Sequence, residues 1–250
     1  MKVSNASILA PHRALTALLV AAAAFAAQAT PTVFFGKNPL PFDSVSGAPL
    51  VARNNFLAEL VAGVGSEGFE GKTFGDGAPL GLSFPGSASS VITATLTGDG
   101  QVENRPGIGT FNTTPGGGNW WETTSGSFDI GFSTPVAAFG FYGTDIGDGG
   151  GQVVLTLTDI NNIVTTMQID STGTGDGSLI FYGFIDTLKT YKSISFGNTS
   201  SGGDAFGFDD MVIGDLGQLA SPPGPSLPLP GTLALLSLSL VALALVRRRV

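Results

Sequence analysis

Aspartates set among glycines are the residues of this chain best suited to chemistry. Asp145-Ile-Gly-Asp148 closes an apolar stretch that begins at Ala138, and Asp204-Ala-Phe-Gly-Phe-Asp209-Asp210-Met211 opens another. A carboxylate drawn into an apolar interior needs a partner, and no Lys or Arg stands near these residues in the sequence. Calcium, which takes carboxylate and carbonyl oxygens, would meet that need. Adjacent strand residues point to opposite faces, so at most one of Asp209 and Asp210 is expected to face inward.

A second group is aromatic. Asn119-Trp120-Trp121-Glu122 follows a long loop from Asn104 that carries Pro106, Pro115 and the triplet Gly116-Gly117-Gly118. A tryptophan face beside amide and carboxylate groups is what a sugar-binding platform uses, which makes Trp120 and Trp121 candidate ligand-binding residues. By strand alternation one of them belongs to the core and only the other is free for a ligand.

Much other chemistry is excluded. The chain has no cysteine, and its one histidine, His12, precedes the globular region. Ser-His or Cys-His activation is therefore out, as are the preferred ligands of zinc and copper. Two carboxylates about 5–9 Å apart suffice for glycoside hydrolysis. The glutamates at 59, 67, 70, 103 and 122 are scattered, however, so a glycoside-active enzyme is the second alternative and no catalytic residue is assigned.

All 19 acidic residues lie between Asp43 and Asp215, and between the two apolar ends of the chain only Lys37, Arg53, Lys72, Arg105, Lys189 and Lys192 oppose them, for a formal net charge of −13 there. Such a surface repels nucleic acid and favours divalent cations. Short segments rich in Val, Ile, Thr and Phe, separated by glycine, predict an all-β domain. Strands are expected at 80–84, 91–98, 127–133, 136–142, 152–158, 163–169, 178–184, 192–197 and 211–214. Val153, Leu155 and Leu157 share one face of their strand, as do Phe128, Ile130 and Phe132, so two sheets should pack over a phenylalanine-rich interior. A jelly-roll-like, two-sheet β-sandwich follows. One short helix is expected over 51–61, with Phe56, Leu57, Leu60 and Val61 on its apolar stripe.

The two ends read differently from the body. Lys2 and Arg13 precede an apolar run from Ala14 to Ala27, and Ala27-Gln28-Ala29 has the small-x-small form that signal peptidase accepts, which places cleavage before Thr30. At the other end Pro228-Leu229-Pro230 is followed by an apolar run over 231–246 and by Arg247, Arg248 and Arg249. That run is just short of a comfortable bilayer span, and the arginines would hold its end on the cytoplasmic side. The tail resembles the PEP-CTERM sorting signal of Gram-negative bacteria, in its VPLPA-like variant because Leu229 replaces the usual glutamate. The resemblance implies processing by an exosortase and a cell-envelope or extracellular address. Residues 32–214 also look like the β-rich ectodomains that carry such tails, which implies a matrix or biofilm association with exopolysaccharide. Gly68-Phe69-Glu70-Gly71 and Gly207-Phe208-Asp209-Asp210-Met211 are similar to the paired segments of carbohydrate-binding-module jelly rolls. That likeness implies a structural calcium held by Glu70, Asp209 and Asp210, and makes a carbohydrate-binding module the first alternative to a non-enzymatic surface protein.

The domain plan is therefore a signal peptide over 1–29, a β-sandwich over 30–214, a proline-rich spacer over 215–227 and a sorting signal over 228–250 with its transmembrane helix at 231–246. The expected partners are signal peptidase, an exosortase, the membrane and extracellular polysaccharide, with nucleic acid excluded.

Overall fold

The structure is a computed structural model that describes residues 30–39, 44–105, 107 and 109–220. The expected signal peptide with Ala27 and Ala29, and the expected sorting signal with Pro228, Leu229, Pro230 and the three arginines, lie outside the described residues; Thr30 is the first described one. Among the described residues no helix is long and apolar enough to cross a membrane.

Thirteen strands follow the alternation of apolar and polar residues. They are β1 (Thr32–Asn38), β2 (Ser66–Glu67), β3 (Leu80–Pro85), β4 (Val91–Gly98), β5 (Gln101–Glu103), β6 (Trp120–Thr123), β7 (Phe128–Val136), β8 (Ala138–Thr144), β9 (Val153–Asp159), β10 (Val164–Gln168), β11 (Leu179–Ile185), β12 (Tyr191–Asn198) and β13 (Phe206–Gly214). One antiparallel sheet runs β1-β11-β8-β13-β6-β5 with β2 added to β13, and the other runs β10-β9-β12-β7-β4-β3. From β7 onward the chain crosses between sheets repeatedly, β9–β10 being the one hairpin, and this gives the two-sheet sandwich expected from the sequence. The edge strand β1, the short β2 and β5, and β6 add to the expected set.

Phenylalanines fill the space between the sheets. Phe128 stacks on Phe196 at 4.3 Å between ring centroids, and Phe141 lies 4.9 Å from Phe208. Each fully buried side chain of this size contributes about 1.5–3 kcal/mol through removal from water. A smaller cluster built on Phe56, Tyr142 and Phe181 lies on the outer face of the first sheet, beneath the helix α1 (Gly47–Ala58). That helix begins four residues before the expected start, because Pro49 falls in its first turn, where a missing N–H costs nothing. Its buried residues are Pro49, Ala52 and Phe56; Leu60, expected on its stripe, instead bridges to Leu219, and Val61 is exposed.

The strand registers give the sandwich two distinct ends. Ala138 of β8 lies opposite Ile185 and Gly214, and Ile185 lies opposite Thr32, so the start of β1 and the end of β13 meet at one end, the terminal pole. Thr144 of β8 lies opposite Leu179 and Gly207 at the other end, the loop pole.

Candidate functional site

The acidic residues singled out in the sequence divide between two sites, with Asp204 parting from Asp209 and Asp210 to join Asp145 and Asp148. In β13 a register shift between Asp209 and Val212 marks a β-bulge, with Asp210 in the left-handed region at φ 47°. The extra residue cancels the alternation expected there. Both carboxylates emerge on the same side and meet Thr113, whose hydroxyl donates to Asp209 at 2.8 Å and to Asp210 at 3.3 Å. The Thr113 N–H donates to Asp209 at 2.6 Å, and the Thr114 hydroxyl to Asp210 at 3.0 Å. Asp209 is fully buried; burial first, and then the charge of Asp210, hold its carboxyl well above the usual range, against the opposing hydrogen bonds from Thr113 and the Asp210 N–H.

Glu70 does not join this pair. Its carboxylate accepts from the Gly118 N–H at 2.9 Å, the Asn119 N–H at 3.1 Å and the Asn112 side chain at 2.7 Å. Gly117 packs so close to that carboxylate that a Cβ there would collide with it. Together Glu70, Asp209 and Asp210 tie residues 112–119 of the loop down onto the outer face of the first sheet. The three expected calcium ligands thus serve as anchors for one loop, and among the described residues the only three-carboxylate group lies elsewhere.

The same loop corrects the tryptophan expectation. Alternation holds, since Trp121 points into the core and stacks on Phe69 at 6.3 Å. Trp120 points outward but is only 1% exposed. It packs on Gly207 near Thr110 of the loop, while its indole N–H reaches Glu122 at 3.4 Å. Neither ring is available as a sugar platform, because a loop that reads as free in the sequence covers the outward one.

The remaining acidic group gathers at the loop pole. Asp145 follows β8 directly, Asp148 sits three residues on, Asp176 comes from the β10–β11 connection and Asp204 from the β12–β13 connection. One carboxylate oxygen from each of Asp145, Asp148 and Asp176 lies within 4.8 Å of the other two. With Asp204 and glycines 107, 109, 149 and 203 they line a cavity of about 460 Å³. Asp145 is buried and accepts the Gly177 N–H at 2.8 Å; Asp204 accepts the Gly147 and Gly149 N–H groups at 2.7 and 3.1 Å. Gly109 is what lets the loop approach, since its φ is +99° and a Cβ there would collide with the Asp145 carboxylate.

Burial pushes the Asp145 carboxyl up to about 7, with the charges of Asp148, Asp176 and Asp204 adding to the rise and the Gly177 N–H opposing it. Asp148 is raised as well, first by burial and then by Asp204. Among the described residues the only ion pair is Lys37–Asp170 at 3.2 Å, so no Lys or Arg neutralises this cavity. Three converging carboxylate oxygens and unopposed negative charge suit a hard divalent cation. The sequence marked Asp145, Asp148 and Asp204; Asp176 was missed, and its signal was the similar setting Thr174-Gly-Asp-Gly177.

A different kind of cleft opens along the side of the sandwich, between the edge strands β1 and β10. It encloses about 370 Å³ and is lined by Val33, Phe35, Met167, Gln168, Asp170 and Tyr182, among others. Phe35 is 37% exposed and contacts the Tyr182 ring edge-on at 6.4 Å.

No family model matches the chain, and no curated protein matches it. Solved structures with a similar fold do occur. One is TmCBM61 in complex with β-1,4-galactotriose, at 17% identity and TM-score 0.29 over 59% of this chain and 93% of that one. Another is the K2 cleaved adhesin domain of Lys-gingipain, at 14% identity and TM-score 0.37 over 61% and 98%. A third is the CBM22-1 xylan-binding domain of Paenibacillus barcinonensis Xyn10C, at 15% identity and TM-score 0.32 over 60% and 97%. With TM-scores this low, the function of this chain has to be argued from its own residues.

Proposed function

We propose that the chain is an exported, non-enzymatic β-sandwich of the cell surface or extracellular matrix, held at the membrane by its C-terminal segment before processing, with a divalent cation, calcium first, closing its loop pole. Signal peptidase and an exosortase are the partners this route requires. One observation carries the cation: one oxygen from each of Asp145, Asp148 and Asp176 converges within 4.8 Å, with no basic residue among the described ones to balance them. Among the described residues that line the cavity, none offers an aromatic wall against which a sugar ring would lie, which weighs against glycoside chemistry there. Calcium suits the site better than zinc or copper because every side-chain donor is oxygen.

The test is a thermal melt of the full chain in detergent, with calcium and then with a chelator. A site filled to about a hundred times its dissociation constant stabilises by about 2.7 kcal/mol, or roughly 5–10 °C for a domain of this size. Asp145→Asn combined with Asp148→Asn should erase the difference between the two conditions. Identical melts for the native chain would sink the cation.

The side cleft favours a second reading, carbohydrate binding. Phe35 is an exposed ring beside the Gln168 amide and the Asp170 carboxylate, the combination of ring face and polar groups that a pyranose needs. If polysaccharide binds there, Phe35→Ala should cut retention on an affinity gel about tenfold while leaving the melting temperature within a few degrees. Retention by the native chain that Phe35→Ala leaves unchanged would remove the cleft from consideration.

A further inference from the structure

The two poles of the sandwich differ in what they show to solvent. At the terminal pole, Val91 after the β3–β4 turn, Ile160 and Ile163 in the β9–β10 turn, Val164 at the start of β10, Leu188 in the β11–β12 loop and Leu216 after β13 are all between 47% and 64% exposed. They are six of the eleven large apolar residues exposed among the described ones. Turn tips ordinarily carry Gly, Asn, Asp or Ser, so aliphatic side chains at four turns spread across one pole make that pole unusual.

The acids of the same pole are turned inward, where they shape those turns. Asp159 accepts the Asn161 and Ile163 N–H groups at 2.7 and 2.8 Å. Asp186 accepts the Leu188 and Lys189 N–H groups, each at 2.9 Å, and the Tyr191 hydroxyl at 2.7 Å. Asp215 accepts the Ser87 and Gly217 N–H groups at 2.8 and 2.9 Å. All three are buried, so each carboxylate is spent on holding a turn whose exposed tip is apolar. Lys189 and Lys192 stand beside these tips, with Glu59 the exposed acid nearby. At the loop pole the exposed residues are instead carboxylates such as Asp148 and Asp176.

What covers such a surface is indicated by where the chain goes next. The described residues end at Ala220, whose N–H bonds the Glu59 carbonyl at this same pole. Ten proline-rich residues, 221–230, separate it from the apolar run 231–246 and its arginines. Extended at about 3.1 Å per residue, that spacer reaches about 30 Å. The tips are thus tethered close to any bilayer that takes up the run.

We infer that the terminal pole is a lipid-facing surface: its aliphatic turn tips enter the outer interface of the bilayer, Lys189 and Lys192 meet lipid phosphates, and the acidic loop pole is turned toward solvent. The inference rests on the anchored reading above, and it adds an orientation that an anchor alone does not require.

Because the chain has no cysteine, single labels can be placed at will. The full chain would be reconstituted into phosphatidylethanolamine–phosphatidylglycerol vesicles with a spin label at Ile160→Cys, Leu188→Cys, Gly202→Cys or Leu238→Cys. Gly202 serves as the loop-pole control, since a Cβ there meets nothing within 4 Å. Accessibility to oxygen relative to a water-soluble nickel chelate should rise several-fold at 160 and 188 and stay at its aqueous value at 202. Lipid exposure at 238 with water at 160 and 188 would overturn the docking while leaving the anchor intact. Water at 160, 188 and 238 alike would overturn both, whereas lipid at 160 and 188 without lipid at 238 would support docking independently of the anchor. Dipolar broadening between labels at 160 or 188, with no gain in oxygen access, would mean contact between two copies and would overturn the lipid assignment.

Discussion

Asp209 and Asp210 face the outer side of the same sheet whose loop-pole end carries Asp145, yet the two groups are stabilised in opposite ways. The β13 pair is met by hydroxyl and N–H donors from Thr113 and Thr114, and a whole loop is folded over it. The loop-pole group brings three carboxylates within 4.8 Å and gives Asp145 the Gly177 N–H. Donors already bound to a carboxylate leave few lone pairs for a metal, whereas crowded carboxylates facing a cavity leave many. Local density of acid therefore does not identify a cation site; what matters is whether the fold has already supplied the donors.

The largest effect that would sharpen this contrast comes from the closed group. Asp209→Ala strips the acceptor from the Thr113 N–H and the Asp210 N–H, which remain buried, and leaves the Thr113 hydroxyl only its longer bond to Asp210. Leaving buried donors unpaired costs about 1–3 kcal/mol for each group. Some of that is returned, because a costly buried charge is removed as well. A loss of about 2–4 kcal/mol in urea denaturation is expected, together with faster proteolysis of the 104–119 loop. The variant should still respond to chelator, since the loop-pole cavity is untouched. A variant that unfolds with chelator-independent stability would break the comparison by placing the ion at Asp209 after all.

The sequence made the sandwich legible because the physics there is local. Alternation in Val153 to Thr158 and in Phe128 to Phe132 follows from the two-residue period of a strand, and it also put Trp120 and Trp121 on opposite faces. Three things were not legible. The β13 bulge depends on Asp210 adopting φ 47°, which reverses the alternation in a run with no glycine at that residue. The cover over Trp120 depends on carboxylates some 50 to 100 residues away in the chain, so a segment rich in Gly and Pro became a fixed lid. The cation cavity was partly readable, as glycine-rich acidic loops; only strand order reveals that three separate connections bring Asp145, Asp176 and Asp204 to one place.

Asp99 offers a third and smaller case, a carboxylate that is satisfied by donors without being deeply buried. It sits in the turn after β4 and accepts the Thr124 and Ser125 N–H groups at 2.8 and 2.7 Å, with the hydroxyls of Thr123, Thr124 and Ser125 also in reach. Burial alone would raise its carboxyl, but hydrogen bonds from the Ser125 backbone and side chain, Thr123 and Thr124 outweigh that and bring it down to about 2. A carboxylate with a lowered folded value stabilises the fold above its unfolded value of about 4, and that contribution disappears as pH falls toward 2. Asp99→Asn should therefore cost about 1 kcal/mol at neutral pH, a figure kept small because the group is partly solvated. The difference between variant and native chain should shrink as the pH of a urea titration is lowered from 5 to about 2. A gap of constant size across that range would show that the turn is held by its backbone geometry and not by the ionised carboxylate.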